Sequence, residues 1–328
     1  MWPRHGKRSP TPPRMTEEER FTVDGRGARQ RLDRYLAALG RWGTRSQVQR
    51  LIEDGHVRLD GRPVKPGTVL RCGQTIAVQP APRALPAGVE AEAIPLDVLY
   101  EDEWLLVINK PPGLVVHPAP GHWRGTLVSA LLHHWRGPRP GLDALRPGIV
   151  HRLDKDTSGV LVIAKDAATL ADLGTQFRNR QVEKQYVAFV WGRLRHSSGT
   201  ISEPIGRNPT HRKRMAVRQG GREAVTAYEV CALLDGVTML RLFPRTGRTH
   251  QLRVHLAAIG HPIVGDAVYG RGRARPSGVL IERQALHAER LTFRHPRTSE
   301  RMTFVAPLTA DLSLLRRRCA LAAHLPVA

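Results

Sequence analysis

Three cysteines in 328 residues, Cys72, Cys231 and Cys319, are too few and too scattered for a disulfide framework or a paired-cysteine metal site. Such sparse usage fits a reducing compartment. No apolar run approaches the roughly 20 residues needed to cross a bilayer, and no hydrophobic core follows the basic N-terminus as a secretory signal requires. The chain therefore reads as cytoplasmic, with no membrane partner. Phosphate-loop and dinucleotide strings are missing, and Gly270-Arg271-Gly272 is too short to stand for one. His250 and His255 are five apart with no acid beside them, a poor zinc pair on a helix. No cofactor and no metal are expected. Acid is also scarce: 29 Asp and Glu face 51 Lys and Arg, a formal net charge of +22, so the expected partner is a polyanion, by default nucleic acid. Only seven of the basic residues are lysine. Arginine suits phosphate forks and stacking on bases, although a GC-rich genome produces the same bias.

The chain is long enough for two domains with separate cores. Residues 1–20 read as a basic disordered arm: Arg4, Lys7, Arg8 and Arg14 surround Ser9-Pro10-Thr11-Pro12-Pro13, with too little apolar surface to fold. Met15, before Thr16-Glu17-Glu18-Glu19, is an equally good start. Residues 21–80 form the first folded unit. Leu32, Tyr35, Leu36 and Leu39 define one helix face stopped by Gly40. A second helix starts at Ser46, with Gln49 completing a capping box, and carries Val48, Leu51 and Ile52. Val57-Arg58-Leu59, the pair Asp60-Gly61 and Val64 make a hairpin. Prolines 80, 82 and 86 mark a linker over 81–92, and 93–328 form a larger second domain. There, Leu170, Leu173 and Phe177 predict a helix, and Lys184–Val190, Val225–Leu233 and Val237–Phe243 predict strands.

The densest chemistry lies in Gly148–Gly159, where two acids, a histidine, two basic residues and two hydroxyls precede the apolar run Val160–Ala164. Asp, Thr, Ser and Gly are ordinary turn-formers, so by spacing alone this is a polar loop. However, His151-Arg152-Leu153-Asp154 with Thr157-Ser158-Gly159 resembles the signature of the RluA-type RNA pseudouridine synthases. Asn109-Lys110-Pro111-Pro112-Gly113 and Gly247-Arg248-Thr249-His250-Gln251-Leu252-Arg253-Val254-His255 resemble two further elements of that family, in the same order. Residues 21–80 resemble the S4 RNA-binding module, with eleven basic and five acidic residues over Asp24–Gln79.

The resemblance implies an α+β protein: an S4-like domain, then a catalytic domain with a mixed, largely antiparallel sheet and flanking helices. It implies cofactor-free isomerisation of uridine to pseudouridine in structured RNA, by base flipping, cleavage of the glycosidic bond and rejoining through carbon. By position it implies Asp154 as the catalytic carboxylate, nucleophile or base, ahead of Asp156. It likewise implies Tyr186 against the uracil, Arg248 (in preference to Arg253) as the cation pairing with Asp154, Arg152 in the space of the flipped nucleotide, and Leu286 lining the pocket. Thr249 is the expected N-cap of a helix carrying Leu252, Leu256 and Ile259. Arg45, Arg50 and Arg58 are the candidate RNA contacts of the S4-like unit. Val115–Pro118, Gly125-Thr126-Leu127 and Ala130–His133 resemble most the RluD-like branch, which acts on the large-subunit rRNA stem-loop called helix 69. Ser129 departs from the Asn expected there. Other rRNA or tRNA uridines, a non-enzymatic ribosome-assembly factor and a hydrolytic RNA glycosylase are the alternatives. A monomer with no protein partner is expected.

Overall fold

The computed structural model describes residues 18–25, 27–42, 45–79, 89–118, 123–139, 141–143, 145–211, 214–270 and 281–322. Most of the expected basic arm and the prolines of the expected linker lie outside these. The chain divides into two compact units, 1–84 and 85–328.

In the first unit, β1 (Glu19–Thr22) precedes α1 (Leu32–Ala38) and α2 (Arg45–Glu53). Strands β2 (Val57–Leu59), β3 (Arg62–Pro63) and β4 (Thr75–Val78) complete a sheet ordered β1-β4-β2-β3. Strand β1 pairs antiparallel with β4 from Glu19 onward, so the sheet takes in two residues assigned above to the arm. The β2–β3 turn is Asp60 at φ 50° and Gly61 at φ 75°, the two left-handed residues that match strand twist. Leu32, Leu36, Val48, Ile52, Val57, Ile76 and Val78 are buried together. Helix α2 begins at Arg45, and the Gln49 amide donates to Asp33 Oδ2 at 2.7 Å. That donor serves Asp33, which is fully buried. Arg31 and Arg45 complete its shell. Burial pushes its carboxyl upward in pKa, but these hydrogen bonds win and hold it well below the usual range.

The second unit begins earlier than expected. Val89 is buried against Val128 and Leu132, and Glu92 exchanges hydrogen bonds with Ser129 and Gly125. It contains, in order, β5 (Val98–Glu101), β6 (Leu105–Lys110), α3 (Leu127–His134), β7 (Ser158–Ala164), α4 (Ala167–Arg178) and β8 (Glu183–Trp191). There follow β9 (Ser198–Ser202), β10 (Ile205–Arg207), β11 (Met215–Val217), β12 (Val225–Leu234), β13 (Val237–Pro244), α5 (Gln251–Ala258), β14 (Leu286–Arg294), β15 (Arg301–Val305) and α6 (Ala310–Ala322). Nine strands form one sheet, β5-β6-β7-β14-β8-β13-β12-β9, with β15 pairing β14 and β10–β11 a separate hairpin. All pairings between these strands are antiparallel except β7 with β14. The architecture is α+β, with a mixed, largely antiparallel sheet.

At that parallel contact Gly159 (φ 116°) faces Ala288, and a Cβ at Gly159 would lie 2.1 Å from the Ala288 carbonyl oxygen. Only glycine admits both the backbone angle and the approach. The sheet's apolar faces bury one cluster around Phe189, Leu240, Leu256 and Leu286, and another around Leu106, Ile108, Leu153 and Leu161. The central polar loop therefore hangs from the middle of the sheet.

Candidate active site

Residues 151–158 run into β7, and each of their anchors comes from a different part of the second unit. Leu153 is buried among Leu106, Ile108 and Leu161. The Asp154 carbonyl accepts the Thr157 N–H, closing a turn that lifts the Asp154 side chain into the cleft. Lys110, fully buried, donates to the carbonyls of Pro111, Leu114 and Lys155 at 2.8–3.0 Å. Burial lowers its pKa to about 7, against the pull of Asp156 and Asp154. Arg283 donates to the Asp156 carbonyl at 2.9 Å while its fork holds Asp311. Ser158 meets His287 Nδ1 at 2.9 Å. His151 is stacked on Phe177, and its Nε2 accepts the Val162 N–H. An accepting Nε2 requires a neutral ring, and burial accordingly lowers its pKa to about 3. This is the physical role found for the histidine that begins the motif.

The cleft has a volume near 650 Å³, within the range of small-ligand sites. Asp154 sits in it with a side chain one-fifth exposed. Tyr186 on β8, Leu286 at the start of β14, Arg152 and Arg248 all line it, whereas Asp156 does not. Burial and the negative charge of Asp154 raise the pKa of the Tyr186 hydroxyl, so it stays protonated.

The cation beside Asp154 is Arg253, not Arg248. Arg253 Nη1 donates to Asp154 Oδ2 at 3.0 Å, while its Nε and Nη2 grip Asp266 at 2.7 and 2.9 Å. Arg248 instead donates from Nε to the Glu223 carbonyl at 2.9 Å, on the cleft's rim. The reason is where the helix starts. His250 occupies the N-cap position in a left-handed conformation (φ 56°) with no side-chain cap, and α5 begins at Gln251. The expected cap at Thr249 is therefore not made, and Gln251 Oε1 accepts the Thr246 hydroxyl and the Arg248 N–H instead. The first turn of the helix then carries Arg253 inward, 7% exposed. Leu252 and Leu256 are buried as expected, but Ile259 lies outside the helix, more than one-third exposed.

A nearly buried guanidinium needs compensation. Burial alone would lower the pKa of Arg253, but the hydrogen bonds to Asp266 and the charges of Asp266 and Asp154 raise it. Asp266, which burial alone would push up, is held low by Arg253 and by the N–H groups of Val268 and Tyr269. The Tyr269 ring lies under the guanidinium, 5.1 Å from its carbon. Asp266 and Tyr269 were not singled out from the sequence, and Lys110 was named only as part of the Asn109–Gly113 element, with no role. A buried arginine's need for a second carboxylate is the signal that points to Asp266. No group of three or more His, Cys, Asp or Glu suited to a metal occurs among the described residues.

In the first unit, Arg50 and Arg58 are exposed, whereas Arg45 is spent on Asp33. No described helix is long and apolar enough to cross a membrane.

Residues 30–76 match the S4 domain, and residues 104–258 match the RNA pseudouridylate synthase family. The chain is 44% identical to a ribosomal large subunit pseudouridine synthase D of Nitrosomonas europaea over 90% of this chain and 86% of that one. It is 43% identical to an uncharacterized RNA pseudouridine synthase of Bacillus subtilis over 87% and 93%. Among solved structures, human RNA pseudouridylate synthase domain containing 1 superposes with a TM-score of 0.54 at 33% identity, covering 68% of this chain and 88% of that one. With an S4 domain before a sheet whose central loop delivers one cleft aspartate to a braced arginine, this chain belongs to the RNA pseudouridine synthase family and is an enzyme of that kind.

Proposed function

We propose that the chain isomerises uridines of large-subunit rRNA, in the helix 69 region, with Asp154 as the anionic group at the reacting nucleotide. The observation that carries the reading is the Asp154–Arg253–Asp266 array. It sets the cleft's carboxylate against a guanidinium fixed at 3.0 Å, itself braced by a second acid. The choice of large-subunit rRNA is supported by the 44% identical relatives of Nitrosomonas europaea and Xanthomonas campestris, both named for the large ribosomal subunit, and an rRNA substrate accords with a cytoplasmic enzyme.

The reaction breaks the bond from uracil N1 to C1′ and forms one from C5 to C1′, while the C5 proton leaves and N1 gains one. Atoms and electrons balance with no redox partner. Asp154 acts at the sugar or the base, as nucleophile or as general base. Tyr186 gives the detached uracil a face to turn against, and Leu286 closes the wall behind it. Arg152, exposed at the mouth, fills the gap left when the nucleotide is taken out of its stack.

The test is pseudouridine mapping of total RNA from cells lacking the gene, complemented with wild type or Asp154→Asn. Loss of pseudouridine from one large-subunit segment, restored by wild type alone, is expected. Restoration by the Asn variant would overturn the role of Asp154, and an unaffected large-subunit rRNA would overturn the substrate.

A further inference from the structure

His250 holds a left-handed backbone, φ 56° and ψ 21°, at a position filled by neither Gly nor Asn. Such a conformation costs of order 1 kcal/mol and persists where the surroundings enforce it. What it accomplishes is to turn the imidazole inward. Nε2 then stands 4.0 Å from Asp154 Oδ2, and Nδ1 stands 2.8 Å from the Tyr269 hydroxyl.

The hydrogen-bond partners fix the ring's proton. The Tyr269 oxygen receives the Met215 N–H at 3.0 Å, and a backbone amide can only donate. With one lone pair taken by that amide, the hydroxyl's own proton is placed to go to Nδ1, the arrangement that the Nε2 end then requires. At the other end, a bare Nε2 lone pair facing the Asp154 carboxylate would be repelled, whereas an Nε2–H is attracted. Both ends select the neutral Nε2–H tautomer. The charged groups around the ring are Asp154, Asp266, Arg253 and Arg152; burial is the largest influence and lowers the pKa of His250, keeping the ring neutral. Met215 belongs to β11, whose Met215 and Val217 pack with Val254 and Tyr269 in one apolar cluster. The hairpin thus seats Tyr269, and Tyr269 sets the histidine.

We propose that His250 is a positioning residue for Asp154: with a uridine in the cleft, its Nε2–H closes onto the carboxylate oxygen, and Tyr269 holds it in the tautomer able to do so. A gap of 4.0 Å is too long for a hydrogen bond, and catalytic bonds that are long without substrate commonly tighten in the complex. Arg253 already donates to Asp154 Oδ2 and His250 faces that same oxygen, so a second donor there pins Oδ2 and leaves Oδ1 to face the nucleotide. The inference rests on Asp154 being the catalytic carboxylate.

The experiment is a single-turnover assay on preformed complexes with an unmodified transcript of large-subunit rRNA, for wild type, Asp154→Asn, His250→Leu, His250→Gln and Tyr269→Phe. Leu and Gln carry the same backbone strain, but Gln restores an N–H at nearly the same reach. His250→Leu is expected to slow conversion by about 10- to 100-fold with unchanged RNA affinity, as when the partner orienting a reactive group is lost. His250→Gln is expected to recover most of the rate. Nitrogen-15 spectra of histidine-labelled protein are expected to show the Nε2–H tautomer at His250 in wild type and a mixture in Tyr269→Phe. A full rate in His250→Leu, no rescue by Gln, or an Nδ1–H tautomer in wild type would each overturn the inference. An active Asp154→Asn would instead overturn the reading of Asp154 itself. If the His250 variants fail to fold, the spectra of wild type and Tyr269→Phe decide the matter.

Discussion

Arg253 serves two carboxylates with one guanidinium, and that arithmetic sets what its loss does. Removing it leaves Asp154 without its cation and Asp266, fully buried, with an uncompensated charge. Breaking a buried pair by deleting one partner costs about 3–5 kcal/mol. Arg253→Ala is therefore expected to lower both the melting temperature and the turnover. Arg253→Lys keeps the charge but cannot span both acids with a planar fork. It is expected to fold and to lose about 100-fold or more in single-turnover rate, while Arg248→Ala, at the rim, should lose far less. A reversed order of these two variants would refute the assignment. Spacing alone could not choose between Arg248 and Arg253, because the choice depends on the helix beginning at Gln251. That start is set by Gln251 bonding Thr246, Val225 and Thr226, and the last two lie on a strand that the local string does not contain. Asp33 in the first unit repeats the theme with two half-exposed arginines and Gln49. Its folded pKa is lowered, so its stabilisation is present above the unfolded value near 4 and is lost as pH falls below it. Asp33→Asn should remove on the order of 2 kcal/mol at neutral pH, and less in acid, measured by denaturant unfolding at several pH values.

At the scale of elements, what the sequence could say divides by how far apart in the chain the partners lie. The helix over Leu32–Ala38, the Asp60-Gly61 hairpin and the strands β8, β12 and β13 were legible because capping, turn and alternation signals are local. The insertion of β14 between β7 and β8 was not, since it joins residues about a hundred or more positions apart. The extension of the second unit back to Val89 was equally hidden, resting on its packing with Val128 and Leu132. Gly159 is where the two ranges meet. It is local to the motif, yet its need for glycine comes from the Ala288 carbonyl on β14. Gly159→Ala combines a forbidden φ with a backbone clash and should destabilise the second unit by at least about 2 kcal/mol. Because the strand crossing lies beside Ser158 and the loop anchors, activity should fall further than the folded fraction does. Activity tracking the folded fraction alone would show that the crossing does not position the loop.

For the whole molecule the excess of 51 basic over 29 acidic residues acts at a distance that the buried ion pairs do not. Arg31, Arg45, Arg253 and Arg283 are committed to Asp33, Asp154, Asp266 and Asp311, and each of these pairs anchors local structure. The remaining positive charge is expected to meet RNA, where each phosphate neutralised releases counterions. If about six phosphates are engaged, a plot of log affinity against log salt should fall with a slope near −4. The single-turnover rate at saturating RNA should stay nearly flat over the same range, since the nearly enclosed Asp154–Arg253 pair is only weakly screened. Charge reversal at the exposed Arg50 and Arg58 of the full chain should weaken binding and reduce the slope by roughly one for each phosphate no longer neutralised, again without slowing the bound complex. A chemical step as salt-sensitive as binding would mean that surface charge and the cleft act as one system. A flat binding curve would mean that the positive surface does not face the RNA. The separation of the two responses follows from a nearly enclosed Asp154–Arg253 pair in the cleft and an excess of positive charge over the chain as a whole.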